Sequence, residues 1–261
     1  MLLNAVIIVL REALEAVSLI TLFLVFSYWL KIPQCWLIAA TLSGFAGALA
    51  FAMNIDDISQ WMNGVGQELT NASLQIVIAV LLQVFNSSLI AHHQNRKQNS
   101  CLLYFCLTTS VTFIVSREGA EILLYVSSFF YMPEQLQSVL MGGAIGAGIG
   151  LSIGIILFYC LILLSRVVFL PIGIFIVILI SAGMIGQAIQ QLIQADLLPS
   201  QLPLWDSSGW LDEESVGGQL LYALIGYEAT PTPIQVLFYF SSIVLMLLLV
   251  ILALWRNRTV N

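Results

Sequence analysis

Two stretches of this sequence concentrate charge inside otherwise apolar runs: Arg11-Glu12-Ala13-Leu14-Glu15 and Arg117-Glu118-Gly119-Ala120-Glu121. On a helix, residues three apart share a face about one turn from each other, so Glu12 pairs with Glu15 and Glu118 with Glu121. Carboxylate oxygens are hard donors suited to hard cations, ferric iron among them, and no thiolate or imidazole stands nearby to favour copper or zinc. Four glutamates against two arginines leave a formal charge of −2, which something positive should balance. Arg11 and Arg117 would orient the carboxylates, hold them ionised and offset enough charge for a bound cation to leave. The plain alternative is an ion-pair network that joins two helices. Such a network should be neutral, and a buried ion pair rarely stabilises more than the apolar residues it replaces.

The elements that carry these residues follow from composition. Of the 261 residues, 60% are hydrophobic and 8% charged, whereas roughly a quarter of a soluble domain is charged. Apolar runs of the ~20 residues needed to cross a bilayer recur at 2–30, 36–54, 69–91, 101–130, 138–164, 168–194 and 234–255. They predict an all-α integral membrane protein with seven transmembrane helices in a single membrane domain. The first run contains Arg11, Glu12 and Glu15, so it reads as a retained helix and not a signal peptide. Arg11 stands about ten residues, or ~15 Å of helix rise, from Met1, which puts the first motif near mid-bilayer. Arg117 is equally central in its run. An unpaired charge at that depth costs at least ~2.5–3.5 kcal/mol, so six ionisable groups there point to a function.

The motif repeats, and so does the pattern of the run after it. Ala40, Gly44, Ala48 and Ala52 recur every four residues in the second run, as Gly142, Gly146, Gly150 and Gly154 do in the fifth. Small residues at that spacing let helix backbones approach closely in lipid. The pattern predicts two three-helix repeats, 1–95 and 101–195, followed by a loop at 196–233 and a seventh helix with its tail at 234–261. Three spans per repeat invert the second copy, an arrangement that transporters use around a midplane site.

Charge sorting sets the orientation. Lys31, Arg96, Lys97, Arg166, Arg256 and Arg258 all fall on one side of the seven-helix scheme. That side is cytoplasmic by the positive-inside rule, so the N-terminus faces out and the C-terminus in. The acids outside the motifs all fall on the opposite face. Among them Asp56-Asp57 and Asp212-Glu213-Glu214 are candidate entry sites, because clustered carboxylates can hold a metal briefly at a pore mouth. The alternative is simple loop solvation. His92 and His93, at the cytoplasmic end of the third run, are a candidate exit site. Gln75, Gln83 and Asn86 in the third run and Gln187, Gln190 and Gln191 in the sixth read chiefly as amides that bond neighbouring helices. Gln187 is in addition a candidate second layer around the carboxylates. Ser18 and Tyr125 share the carboxylate face and are candidates for the same role.

Cys35, Cys101, Cys106 and Cys160 are scattered and form no metal or disulfide pattern. No His-Glu-x-x-His motif, nucleophile elbow or phosphate loop occurs, which argues against an enzyme. Nucleic acid is not an expected partner.

The paired Arg-Glu-x-x-Glu motifs, the order of spans and the stretch from Leu204-Trp205-Asp206 to Gly226-Tyr227 resemble the oxidase-dependent iron transporter family, the iron permeases of fungi and bacteria, and most closely its short bacterial members. The resemblance covers nearly the whole chain. It implies uptake of iron as Fe(III) after external oxidation, with Glu12, Glu15, Glu118 and Glu121 as ligands and Arg11 and Arg117 as required neighbours. Iron is then the substrate, with no cofactor, in a plasma membrane of bacterial inner-membrane type. The implied partners are an extracytoplasmic ferroxidase or peroxidase-type protein and an iron-binding protein. Ferrous iron, lead or a proton-coupled divalent metal are alternative cargoes, and a non-transporting membrane scaffold is the alternative from another class.

Overall fold

The structure, a computed structural model, describes residues 1–94 and 100–258, side chains excepted at 91–94, 100 and 253–258. Among the described residues the regular structure is helical, without strands: α1 Leu2–Leu30, α2 Cys35–Met53, α3 Ile55–Gln60, a 3-10 turn Trp61–Asn63, α4 Gly66–Gln94, α5 Ser100–Ser127, α6 Pro133–Ile162, α7 Arg166–Gln194, α8 Val216–Ile225 and α9 Pro233–Arg258. Six of these, α2, α4, α5, α6, α7 and α9, are long and apolar enough to cross a membrane. α1 matches them in length at 29 residues and carries its three charged groups in its first half. Each apolar run coincides with a long helix. The two short helices, α3 and α8, lie in connections.

Local chemistry sets the ends. Pro133 opens α6 at the first turn, where its missing N–H is no loss. Ser215 caps α8 by accepting from the Gly218 N–H at 3.0 Å, and Gly226 closes it in the left-handed conformation (φ 66°).

The halves interlock. α1 lies along α6 and α2 along α5, the two most extensive helix pairings. Both pairings are parallel: Gly142, Gly146, Gly150 and Gly154 meet α1 successively at Ala5, Val6, Ala13 and Val17, while Ala40 and Gly44 meet Thr112 and Ser116 of α5. α4 and α7 run antiparallel, with Gln75 on Gln187 near one end and Asn86 on the Ile174 carbonyl near the other. Exchanging α1, α2 and α4 for α5, α6 and α7 turns one parallel pairing into the other. The small-residue stripe of each half therefore faces the motif helix of the other half. A Cβ on Gly146 would sit 2.5 Å from the Val6 carbonyl oxygen, a distance that only glycine avoids.

α2 buries Trp36, Ala40, Gly44 and Ala48 and turns Ile38, Leu42, Phe45 and Leu49 outward. An apolar face that large belongs against lipid, not water. The main core fills the end of the bundle where α1 finishes and α7 begins. Phe85 of α4 lies between Phe23 and Phe26 of α1, at centroid distances of 4.9 and 5.3 Å, and Phe26 stacks on Phe169 of α7 at 4.9 Å. The motifs sit on top of this apolar plug.

Candidate functional site

α1 and α5 meet at their motifs. Glu12, Glu15 and Glu118 are buried, and one carboxylate oxygen from each lies within 4.8 Å of the others. Arg117 is buried beside them. Its Nη1 donates to Glu118 Oε1 at 2.7 Å and to Glu15 Oε2 at 3.4 Å, and its Nε lies 3.5 Å from Glu121 Oε1. The one guanidinium thus touches Glu118, Glu15 and Glu121. Instead of closing the same cluster, Glu121 accepts from Asn71 Nδ2 at 3.3 Å. Of the four carboxylates expected to share one cavity, three lie within 4.8 Å of one another, while Glu121 is held by Arg117 and Asn71.

Gln187 of α7 supplies the floor. Its Nε2 donates to Glu15 Oε2 at 3.3 Å while its Oε1 accepts from Gln75 Nε2 of α4 at 2.9 Å. Ser18 returns its hydroxyl to the Glu15 backbone carbonyl at 3.0 Å, and Tyr125 packs edge-on against Phe129, so neither reaches a carboxylate.

Two cavities flank the cluster at the end of the bundle where α1 begins. The larger, of about 440 Å³, is bounded by Asn4, Arg11 and Glu12 of α1, by Glu213 and Glu214, and by Gln219 and Tyr222 of α8. The smaller, of about 340 Å³, is lined by Gln67, Glu68 and Asn71 of α4, Glu121 and Leu124 of α5, and Gln191 and Gln194 of α7. Of the acids singled out in the loops, Glu213 and Glu214 therefore border the same space as Glu12. Asp212 instead turns back on its own loop and accepts from the Glu214 N–H at 3.0 Å. Asp56 and Asp57 stand exposed in the first turn of α3 and line neither cavity. The side chains of His92 and His93 lie outside the described residues.

Glu68, Asn71 and Tyr222 were not singled out from the sequence. Asn71 follows Glu68 by three positions, so the pair shares a face of α4, a signal that spacing did carry. Tyr222 sits in a helix of ten residues, too short to register as a span.

The donor set fits a hard cation. Among the described residues, Glu15 Oε1 and Glu118 Oε2 are buried without a hydrogen-bond partner, and an unsatisfied buried carboxylate oxygen is costly unless a positive group faces it. Hard cations bind oxygen at ~2.0–2.6 Å, so a ring of oxygens of this size closes on one with small side-chain rotations.

Apolar helices around a buried acidic cluster, with a cavity that reaches Glu12, define a helical integral membrane permease. The match to known families is of the same kind. Residues 2–256 match the model of the iron permease FTR1 family, and the chain belongs to that family. No curated protein and no solved structure matches it.

Proposed function

We propose that the chain imports iron, as Fe(III) formed by oxidation outside, through the space shared by Glu12, Glu15 and Glu118. The observation that carries this reading is the cluster itself: three buried carboxylates from two helices, with one buried arginine among them. In this reading α1 is a seventh span, the α1 N-terminus and the two cavities face outward, and the ends marked by Lys31 and Arg166 face the cytoplasm of a bacterium. The antiparallel and parallel pairings of the long helices support that alternation.

Iron handed over by an external oxidase is drawn into the larger cavity by Glu213 and Glu214, whose field raises the local cation concentration. Glu12 is the first carboxylate it reaches, and Glu15 and Glu118 are the deeper pair. Arg117 keeps those two oriented and lowers the net charge, so that a trivalent ion is held without being trapped. Glu121 serves the second cavity, either as a ligand after rearrangement or as a relay. The apolar plug of Phe23, Phe26, Phe85 and Phe169 closes the inner side, and exchange between the two inverted halves would open it. An inside-negative potential favours entry by ~2.3 kcal/mol per charge per 100 mV.

Purified protein in vesicles, given radioactive iron as Fe(III) or Fe(II) and lead as competitor, tests the reading. Faster accumulation from Fe(III) supports it. Uptake of Fe(II) or lead alone identifies one of the other cargoes, and no uptake of any metal contradicts it.

A further inference from the structure

α8 has no counterpart in either half of the bundle, and it meets only one of the two motif arginines. Arg117 is enclosed by three glutamates, at 2.7, 3.4 and 3.5 Å, and by the Gln187 amide oxygen at 3.5 Å. Arg11 is placed differently. Its nearest carboxylate oxygen is Glu15 Oε1 at 3.8 Å, and its side chain is 46% exposed, against 3% for Arg117. What holds Arg11 is Tyr222: Nη2 donates to the tyrosine hydroxyl at 2.8 Å, and the guanidinium carbon stands 4.4 Å over the centroid of the ring. A hydroxyl acceptor and a π face act from one side chain in two directions, which fixes both position and tilt.

The anchor is itself anchored. Ser215 caps the start of α8, and its end crosses α7 at Gly226 on Gly183, where a Cβ on Gly183 would fall 2.8 Å from the Gly226 Cα. Tyr222 is therefore presented to Arg11 by a helix capped at its start and closely packed on α7 at its end.

We propose that Tyr222 is a positioning residue for cation binding: it docks Arg11 on the wall of the larger cavity and holds the guanidinium 3.8 Å from Glu15 Oε1, short of a hydrogen bond to the cluster. This rests on the permease reading of the cluster. Glu15 Oε1 is buried without a hydrogen-bond partner, and a guanidinium freed from Tyr222 reaches it by side-chain rotation alone. Arg11 would then do for its own motif what Arg117 does for the other, and would compete with the cation for the same oxygens. Docking on α8 breaks the symmetry of the two motifs and leaves one half of the cluster available.

The test uses the full-length protein with Tyr222→Phe and Tyr222→Leu, each alone and combined with Arg11→Gln, and reads uptake of Fe(III) citrate into vesicles. Tyr222→Phe keeps the ring and loses the acceptor, so its KM rises about five- to tenfold, and that of Tyr222→Leu rises further, with maximal rate within about twofold of wild type. With Arg11 already replaced, neither Tyr222 substitution raises KM further. A KM unchanged in Tyr222→Leu overturns the proposal, as does an equal rise whether or not Arg11 is present. A second readout needs no iron: phenylglyoxal labelling of Arg11, followed by peptide mass spectrometry, slows several-fold in Tyr222→Leu as the guanidinium withdraws into the cluster. Labelling at the wild-type rate or faster overturns the proposal on its own. Wild type that carries no iron contradicts the permease reading, while the labelling still decides the role of Tyr222.

Discussion

Arg117 on α5 reaches Glu15 on α1 with Nη1 3.4 Å from Oε2, and both side chains are almost entirely enclosed. The same nitrogen holds Glu118 at 2.7 Å, so one guanidinium ties a carboxylate from each half of the bundle. Arg117→Gln leaves Glu118 buried with no neutralising partner and Glu15 with only Arg11, 3.8 Å away, and breaking a buried pair in this way costs about 3–5 kcal/mol. Thermal unfolding in detergent should show a large drop for Arg117→Gln. Arg117→Lys should recover part of it, since an ammonium restores the charge but not the planar fork that reaches Nη1 and Nε partners together. An unfolding temperature for Arg117→Gln equal to wild type contradicts this.

Gln187 connects the cluster to α4. Gln187→Leu removes the donor to Glu15 and strands the Gln75 amide, which is fully buried, at about 1–3 kcal/mol. Replacing Gln75 by Leu as well removes the stranded group, so the double variant should be more stable than Gln187→Leu alone. Purely additive losses in the same unfolding assay argue that the two amides are not coupled.

The glycine stripe of α6 separates packing from composition. A methyl on Gly146 strikes the Val6 carbonyl oxygen at 2.5 Å and the Leu10 nitrogen at 3.0 Å, both backbone atoms of α1 that cannot rotate away. Gly146→Ala should destabilise by ~1–3 kcal/mol through overpacking. At Gly148, two residues on, nothing lies within 4 Å of the added carbon. Gly148→Ala should then be neutral, or stabilising by up to ~1 kcal/mol from helix propensity. Equal effects at the two positions would show that α1 and α6 do not meet as described.

Glu228, between α8 and α9, gives stability a pH dependence. Burial pushes its carboxyl from the ordinary 4.5 up to about 7; the Gln235 amide, which donates to it at 2.8 Å, opposes the rise, and Glu213 adds to it. With the folded value above the unfolded one, the folded chain binds more protons between those limits, so this contribution is present at low pH and is lost as pH rises from about 4.5 through about 7. Glu228→Gln should flatten that part of the stability profile, measured as unfolding temperature against pH. A slope that survives the substitution must come from another group.

Hydropathy and spacing carried most of this fold, for a physical reason. In lipid a backbone must satisfy its own hydrogen bonds, so length and apolarity alone locate the long helices. Spacing likewise put Glu12 beside Glu15, and the recurrence of small residues in α2 and α6 was plain. What spacing could not carry was which helix each stripe faces. The answer, the motif helix of the opposite half, depends on how the halves interlock. The place of Glu121 was illegible for a similar reason. Its helical face matches that of Glu118, and only the packing of α4 beside α5 brings Asn71 to it at the lining of the smaller cavity. Ten apolar residues cannot span a bilayer, so hydropathy places α8 within a loop, yet it forms a wall of the larger cavity.

The most direct test of the cluster as a cation site is iron uptake into vesicles by Glu15→Gln and Glu118→Gln beside Asp56→Asn, whose carboxylate lines neither cavity. The two buried substitutions remove one negative charge each from the shared space and leave side chains of nearly the same size, so both should fold and lose at least about tenfold in uptake. Asp56→Asn should keep the wild-type rate. Folded Glu15→Gln and Glu118→Gln proteins that carry iron as fast as wild type would show that the metal does not pass between these carboxylates.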